Sequence, residues 1–376
     1  MKRDIVVVGG GPAGLAAAIA ARQRGMRVTV ADSAMPPIDK ACGEGLMPDA
    51  LAALSRLGIQ VRPEDSFPFR GIRFIDRGRT VEAGFPHRVG RGVRRTKLHL
   101  AMLARAQAMG VEFRWGTHVS LNELSAHEGW VIGADGANSA VRKWAGLETP
   151  VKERVRYGFR RHYRIRPWSE YVEIYWTSGG YQIYVTPVAV DCVCVAIITN
   201  DPKLRLDAAL QGAPELSERL QGCEITSADR GSVSASRRLR AVSRHRVALI
   251  GDASGSVDAI TGEGLCLAFR QAETLAGAIE RGDLAAYQAE HRRIARRPWW
   301  MAKLLLSLGD HAAFRFAAMR AMQACPPVFE TMLAFHVGSL YEKSPSLSPA
   351  GRSGHVRAGD DSGSRSRRDS GPVHVK

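Results

Sequence analysis

Lysine is scarce in this chain. Of its 53 basic residues only nine are Lys, so 44 are Arg, and the 37 acidic residues leave a formal net charge of +16. No run of roughly 18 apolar residues is present, which excludes a membrane-spanning helix. The six cysteines include no C-x-x-C pair, and no His cluster has zinc-ligand spacing, so no metal site is expected. A length of 376 residues buries a core without covalent staples, which excludes a disulfide scaffold. No internal repeat is visible. Met1 to Asp4 leads straight into a strand-like run without a signal-peptide pattern, so a cytoplasmic protein with reduced thiols is expected. The positive charge fits a nucleic-acid binder, a protein resting on an anionic membrane, or plain Arg-rich composition. No nucleic-acid module and no basic stripe with interleaved aromatics is present, so no nucleic-acid partner is expected.

Hydrophobic content of 45% with 24% charged residues is ordinary for a globular protein. The chain opens with Ile5-Val6-Val7-Val8, an apolar run of the kind buried in a parallel sheet. A glycine turn follows, then an Ala-rich helix from about Pro12 to Arg24, then the strand Arg27 to Val30. This is a βαβ unit of about 30 residues. Gly9-Gly10-Gly11-Pro12-Ala13-Gly14 fits G-x-G-x-x-G in the strand-to-helix context that gives the string its meaning. Gly9 allows the tight turn, Gly11 the approach of a pyrophosphate, and Gly14 close packing of helix on strand. The helix N-terminus offers free N–H groups to the phosphates, and Asp32 stands where a carboxylate holds ribose hydroxyls.

Further along, helices are expected at Pro48–Leu57 and Arg94–Met109, and two short strands within 71–84. From Tyr157 to Thr199 the period changes to two, as in an antiparallel sheet. Arg246 to Ile250 returns to a buried strand, and helices follow over 263–280 and 284–340. From Lys343 the chain is rich in Ser, Gly, Arg and Pro with almost no large apolar residue, so a disordered tail is expected over 343–376, carrying seven basic residues against three Asp.

Two more segments sharpen the reading. Val131 to Ser139 contains Gly133-Ala134-Asp135-Gly136. Leu249 to Gly255 contains Gly251-Asp252 and is followed by Thr261-Gly262-Glu263-Gly264. With the glycine turn, these resemble the three signatures of the FAD-dependent superfamily of aromatic hydroxylases and geranylgeranyl reductases, over nearly all of residues 1–340. The resemblance implies an α/β fold: a doubly wound FAD-binding Rossmann-like domain (1–156 and 230–280), an inserted antiparallel β-sheet substrate domain (157–229) and a helical C-terminal region (281–342). It also implies that FAD is the cofactor, that Asp252 holds the ribityl chain, that Asp135 lies near the pyrophosphate, and that Arg95 runs along the FAD. The helix after Gly262 and Gly264 then points its N-terminus at the flavin, where negative charge develops on reduction.

Two chemistries compete. Lys40 to Gly45 and Thr261 to Leu265 look like segments of the geranylgeranyl reductases, which implies reduction of isoprenoid double bonds. The strand Tyr181 to Pro187 keeps the Tyr and Pro of their usual tunnel strand but lacks its Trp and Phe. Residues 157–198 look like bacterial FAD-dependent monooxygenases, some of which act on lipophilic aromatic polyketides. That resemblance implies NAD(P)H as reductant, oxygen as co-substrate, and a small hydrophobic aromatic substrate. Hydroxylation of a phenol needs a dry pocket and a group that draws off its proton. His162 is the first candidate for that group and Tyr184 the second; a sheet histidine bonded to its neighbours is the other reading of His162. Cys42 and Gly43 are expected beside the flavin ring, and Glu44 either faces the pocket or is a solvated turn carboxylate. Only about 15 residues separate Trp115 from Trp130, too few for the hairpin usual there. Arg292, Arg293, Arg296 and Arg297 before Pro298-Trp299-Trp300 form either a membrane-contacting edge or a solvated helix face.

Overall fold

The computed structural model describes residues 4–86, 88–148 and 154–338. The expected tail, 343–376, lies outside the described residues. A six-stranded sheet runs in the order Ser243–Arg244, Val247–Leu249, Trp130–Gly133, Asp4–Val8, Arg27–Asp32, Glu112–Trp115, parallel except for its first strand. Trp130–Gly133 is fully buried, as its unbroken apolar run requires. The helices Pro12–Arg22 and Gly264–Arg281 pack on this sheet and on each other. A short helix, Leu121–Ala126, fills the gap between Trp115 and Trp130, its N-terminus capped by Ser120 Oγ on the Glu123 N–H at 3.1 Å.

The second sheet has nine strands among the described residues. Arg154–Arg164 pairs on one side with Arg230–Arg238 and on the other with Cys192–Thr199. Gln182–Ala189 and Tyr171–Trp176 follow, and Gly71–Asp76 joins the latter in parallel, with Arg79–Gly84 at the edge. Strands from the first quarter of the chain therefore complete a sheet built mainly from its middle.

The period of two gives this sheet two apolar faces. Ile183, Val195 and Ile197 pack on the short helices Leu206–Leu210 and Pro214–Leu220. Val172, Ile174, Tyr184 and Ala196 face a second core built with the C-terminal helices. That helical region breaks at His311 and again at Cys325, before Pro326, giving Leu284–Asp310, Ala312–Ala324 and Pro326–His336. A three-stranded sheet, Gly45–Leu46, Gly90–Val93, Ser66–Phe69, joins the two large sheets. No helix of the described residues is long and apolar enough to cross a membrane.

The helix Ala312–Ala324 is fastened to the sheet by a buried ion pair. Arg315 Nε donates to Asp76 Oδ2 at 3.1 Å, and its Nη1 donates to the Leu308 carbonyl at 2.8 Å. Both side chains are about 5% exposed. Removing one member leaves the other charged without a partner in the interior, which typically costs about 3–5 kcal/mol. Arg315→Ala should therefore lower the unfolding free energy by about that much. Adding Asp76→Ala should recover part of the loss, as read from urea denaturation.

Candidate functional site

One cavity of about 610 Å³ runs between the two large sheets. One of its walls begins at Gly9, Gly11, Pro12 and Ala13. Gly9 has φ +109°, and a Cβ there would lie 2.4 Å from the Ala134 carbonyl oxygen. A Cβ on Gly14 would lie 1.8 Å from the Gly9 carbonyl oxygen. Gly14 is thus a packing residue that does not reach the cavity, whereas Gly11 lines it and has nothing within 4 Å of its missing Cβ. No side chain caps the helix that begins at Pro12, so its first-turn N–H groups are open to a ligand.

Asp32 ends its strand in the same wall and accepts hydrogen bonds from the Gly10 N–H at 2.6 Å and the Ala34 N–H at 2.8 Å. His99, held neutral by burial, lies beneath the loop with Nε2 2.9 Å from the Gly10 carbonyl. Asp135 and Gly136 line the cavity; the Asp135 carboxylate takes the Ser139 hydroxyl at 2.5 Å and the Val141 N–H at 3.1 Å. Gly251 and Asp252 face them, and Lys40 Nζ lies 3.1 Å from Asp252 Oδ2, so this lysine serves Asp252. Gly262, in the left-handed region at φ +68°, and Gly264 open the helix Gly264–Arg281 onto the cavity. Cys42, Gly43 and Arg95 complete this part. Every expected cofactor residue except Gly14 lies on one wall.

The residues fit an extended dinucleotide. Gly11, Gly43, Gly136 and Gly262 present bare backbone with no atom near the missing Cβ, and Arg95 Nε is buried without a partner among the described residues.

The rest of the wall is apolar. Phe69, Phe74, Val172 and Ile174 come from the sheets; Met301, Leu305, Phe329 and Leu333 come from the C-terminal helices. Tyr184 lies here, its hydroxyl 3.3 Å from the Ile260 carbonyl, and burial pushes its phenol well above the ordinary value. It can donate a proton in a hydrogen bond but is a poor base.

His162 is not on this wall. It is 1% exposed, and Nε2 lies 2.6 Å from Glu44 Oε2. Arg160 Nη1 approaches Nδ1 at 3.1 Å, and an arginine can only donate, so Nδ1 carries the lone pair and Nε2 the proton. His162 Nε2 therefore donates to Glu44, in the arrangement of a sheet histidine bonded to its neighbours. Glu44 lines the cavity and is 2% exposed. Its other oxygen accepts the Arg95 N–H at 2.8 Å, and its carbonyl accepts the Val93 N–H at 2.9 Å. These ties hold it at φ +58°, a region most residues avoid. The solvated-turn reading of Glu44 is excluded by this burial.

A further pair escapes sequence reasoning because its members lie on separate helices. Glu263 is buried at the start of Gly264–Arg281, and His336 of the last helix faces it, Nδ1 to Oε2 at 3.6 Å. Burial is the main cause of both shifts: Glu263 is raised to about 8 and His336 lowered to about 4. Arg297, 3.4 Å from Glu263, opposes the rise, and Asp49 adds to it. The two are a neutral pair. His336 Nε2 lies 3.1 Å from the Thr261 carbonyl and donates to it, leaving Nδ1 to face the protonated carboxyl.

Three comparisons place these features among known proteins. A family model described as an FAD binding domain matches residues 2–160. A menaquinone reductase of Mycobacterium tuberculosis is 30% identical over 331 residues, covering 78% of each chain. A Rhodococcus erythropolis protein named for the synthesis of 2-heptyl-3-hydroxy-4(1H)-quinolone is 28% identical over 85% of this chain and 96% of its own. Among solved structures, a flavoprotein/dehydrogenase of Cytophaga hutchinsonii shares the fold with a TM-score of 0.76 at 16% identity, covering 90% of this chain and 93% of its own.

Two outcomes test the site. Gly14→Ala should destabilise the fold, because its Cβ meets backbone. Gly11→Ala should leave the urea midpoint nearly unchanged but reduce FAD retained after gel filtration. The second outcome concerns pH. Folded Glu263 keeps a proton that the unfolded chain releases above its ordinary value of 4.5, so its contribution to stability falls as pH rises towards 8. His336 acts oppositely, but only between about 4 and 6.5. From pH 6.5 to 8 wild-type stability should therefore decline by up to ~1.4 kcal/mol per pH unit. Glu263→Gln should flatten that decline.

Proposed function

Since the chain belongs to the FAD-dependent oxidoreductase family, we propose that it uses FAD, NAD(P)H and oxygen to hydroxylate an aromatic ring that carries a hydrocarbon chain. The observation that carries this reading is the continuity of the cavity, from bare backbone at Gly11 to the apolar wall of Phe74, Ile174, Leu305 and Phe329. Both curated relatives support the substrate class, since menaquinone and a heptylquinolone each join a fused ring system to a hydrocarbon tail.

Bound FAD supplies a two-electron store that a nicotinamide donor can fill. The N–H groups of the Pro12 helix would hold its pyrophosphate, Asp32 its ribose and Asp252 its ribityl chain, with Asp135 and Arg95 near the phosphates. The N-terminus of Gly264–Arg281, which opens onto the cavity, would stabilise negative charge on the bound ring. The apolar wall excludes water and takes the hydrocarbon tail. Glu44, a buried carboxylate of the cavity wall, accepts the phenolic proton. His162 is a positioning residue that orients Glu44 through its Nε2–H, and Tyr184 turns its hydroxyl proton from the Ile260 carbonyl to the substrate oxygen.

A second reading, reduction of an isoprenoid double bond, is favoured by the menaquinone reductase relative and by the segments Lys40 to Gly45 and Thr261 to Leu265. The two readings separate cleanly. FAD-loaded protein given NADPH, oxygen and 5-alkylresorcinols should yield products heavier by one oxygen atom. KM should fall by up to about fourfold per added methylene, from ~0.8 kcal/mol each. A product with one side-chain double bond saturated after reoxidation of its ring to the quinone, formed from a prenylated quinone without oxygen, would replace the hydroxylase by the reductase. Glu44→Gln should lower kcat at least tenfold with FAD content unchanged; an unaltered kcat removes Glu44 from the chemistry.

A further inference from the structure

Behind the loop Ser254 to Val257 lies a second cavity of about 460 Å³. Val257 is common to its wall and to that of the cofactor cavity. The second wall carries Arg237, Arg238, Arg292, Arg293, Arg296 and Lys303, and no Asp or Glu. Like charges crowded round one hollow repel each other unless anionic groups stand among them. Some of this charge is answered from within the chain. Arg293 pairs with Glu290 at 2.5 Å, Arg237 lies 3.3 Å from Glu148, and Arg292 donates to the Arg240 carbonyl at 2.8 Å. The guanidinium groups of Arg238 and Arg296 have no hydrogen bond or ion pair among the described residues.

The same wall holds two indole rings. Lys303 Nζ lies 5.2 Å from the centre of the Trp300 ring, and Trp299 stands beside it in sequence and in the wall. His291 is buried here and bonded to Ser254 Oγ at 2.9 Å. Burial lowers it to about 4, so it adds a neutral polar face and no further charge.

We propose that this hollow binds the adenosine-phosphate half of a nicotinamide dinucleotide. Free guanidinium forks match phosphate oxygens in pairs, and an indole offers a flat face on which a purine stacks. Basic and aromatic residues also suit an anionic bilayer, and Trp300 is 64% exposed, but six bases and Trp299 converge on one hollow the size of a small-molecule site. The shared Val257 brings a ligand anchored here within one side chain of the cofactor cavity. The inference rests on the reading of the protein as an NAD(P)H-dependent enzyme and names where that donor is held.

Binding of adenosine 2′,5′-bisphosphate to FAD-loaded protein tests it, followed by calorimetry and tryptophan fluorescence. Saturable binding is expected, weakened at least tenfold in the double variant Arg238→Gln, Arg296→Gln and also weakened in Trp299→Leu, with FAD content unchanged in both. No saturable binding, or binding indifferent to these substitutions, overturns the proposal. Inorganic pyrophosphate binding as tightly as the bisphosphate overturns the nucleoside part. Co-sedimentation with phosphatidylglycerol vesicles, lost in the double variant while the bisphosphate fails to bind, replaces the nucleotide by a lipid headgroup. Because binding is read without turnover, protein that binds the bisphosphate but oxidises no substrate refutes the hydroxylase alone. An enzyme that turns over with NADPH at a KM unmoved by the double variant refutes this site alone.

Discussion

The fold turns on a contact that no side chain could survive. The backbones of Gly9, Gly14 and Ala134 meet so closely that a single methyl group on either glycine would overlap a carbonyl oxygen. This approach seats the helix Pro12–Arg22 against the strands Asp4–Val8 and Trp130–Gly133, and the helix Gly264–Arg281 packs on it in turn. Gly251 repeats the device on the far side, where a Cβ would lie 2.7 Å from that of Ala13. The ends of two helices and three strands thereby converge on one cleft. Their unsatisfied backbone groups there become a site for phosphate.

The second sheet meets the opposite need. Its two apolar faces let it pack on short helices behind and on long helices in front, and the front layer leaves room for a substrate beside the cofactor wall. Between the two regimes stands Glu44. A carboxylate this deeply buried is costly unless its oxygens are occupied, and the chain occupies them with the Arg95 N–H and with His162. Arg160 secures the arrangement from behind by fixing the imidazole tautomer, while it reaches Asp39 at 2.5 Å with its other nitrogen. The strained φ of Glu44 is held by partners on two strands, Val93 and His162, and by the first N–H of a helix, that of Arg95.

Features carried by local spacing are legible in the sequence. The glycine turn, the Asp at the end of the second strand, and the alternation from Tyr157 to Thr199 each follow from a period or an interval that a single segment displays. What stays hidden is side-chain pairing across long intervals. Nothing near His162 announces Glu44, 118 positions away, and nothing near Glu263 announces His336. The apolar wall is equally silent, because Met301, Leu305 and Phe329 read as ordinary core positions on amphipathic helices. The strands within 71–84 are visible as strands, but only pairing of Gly71–Asp76 with Tyr171–Trp176 reveals which sheet owns them.

The helix Leu284–Asp310 belongs to both cavities. Arg296 and Trp299 of its one side line the basic hollow, Met301 and Leu305 of the other line the apolar wall, and Pro298, between Arg296 and Trp299, removes one donor from its hydrogen-bond ladder. Two ligands that share one such element cannot be energetically indifferent to each other if either restrains it. Linkage then makes the effect mutual: whatever factor the occupant of one hollow imposes on affinity in the other is returned in equal measure. A donor and a lipid-like substrate would thus keep count of each other through the stiffness of a single helix.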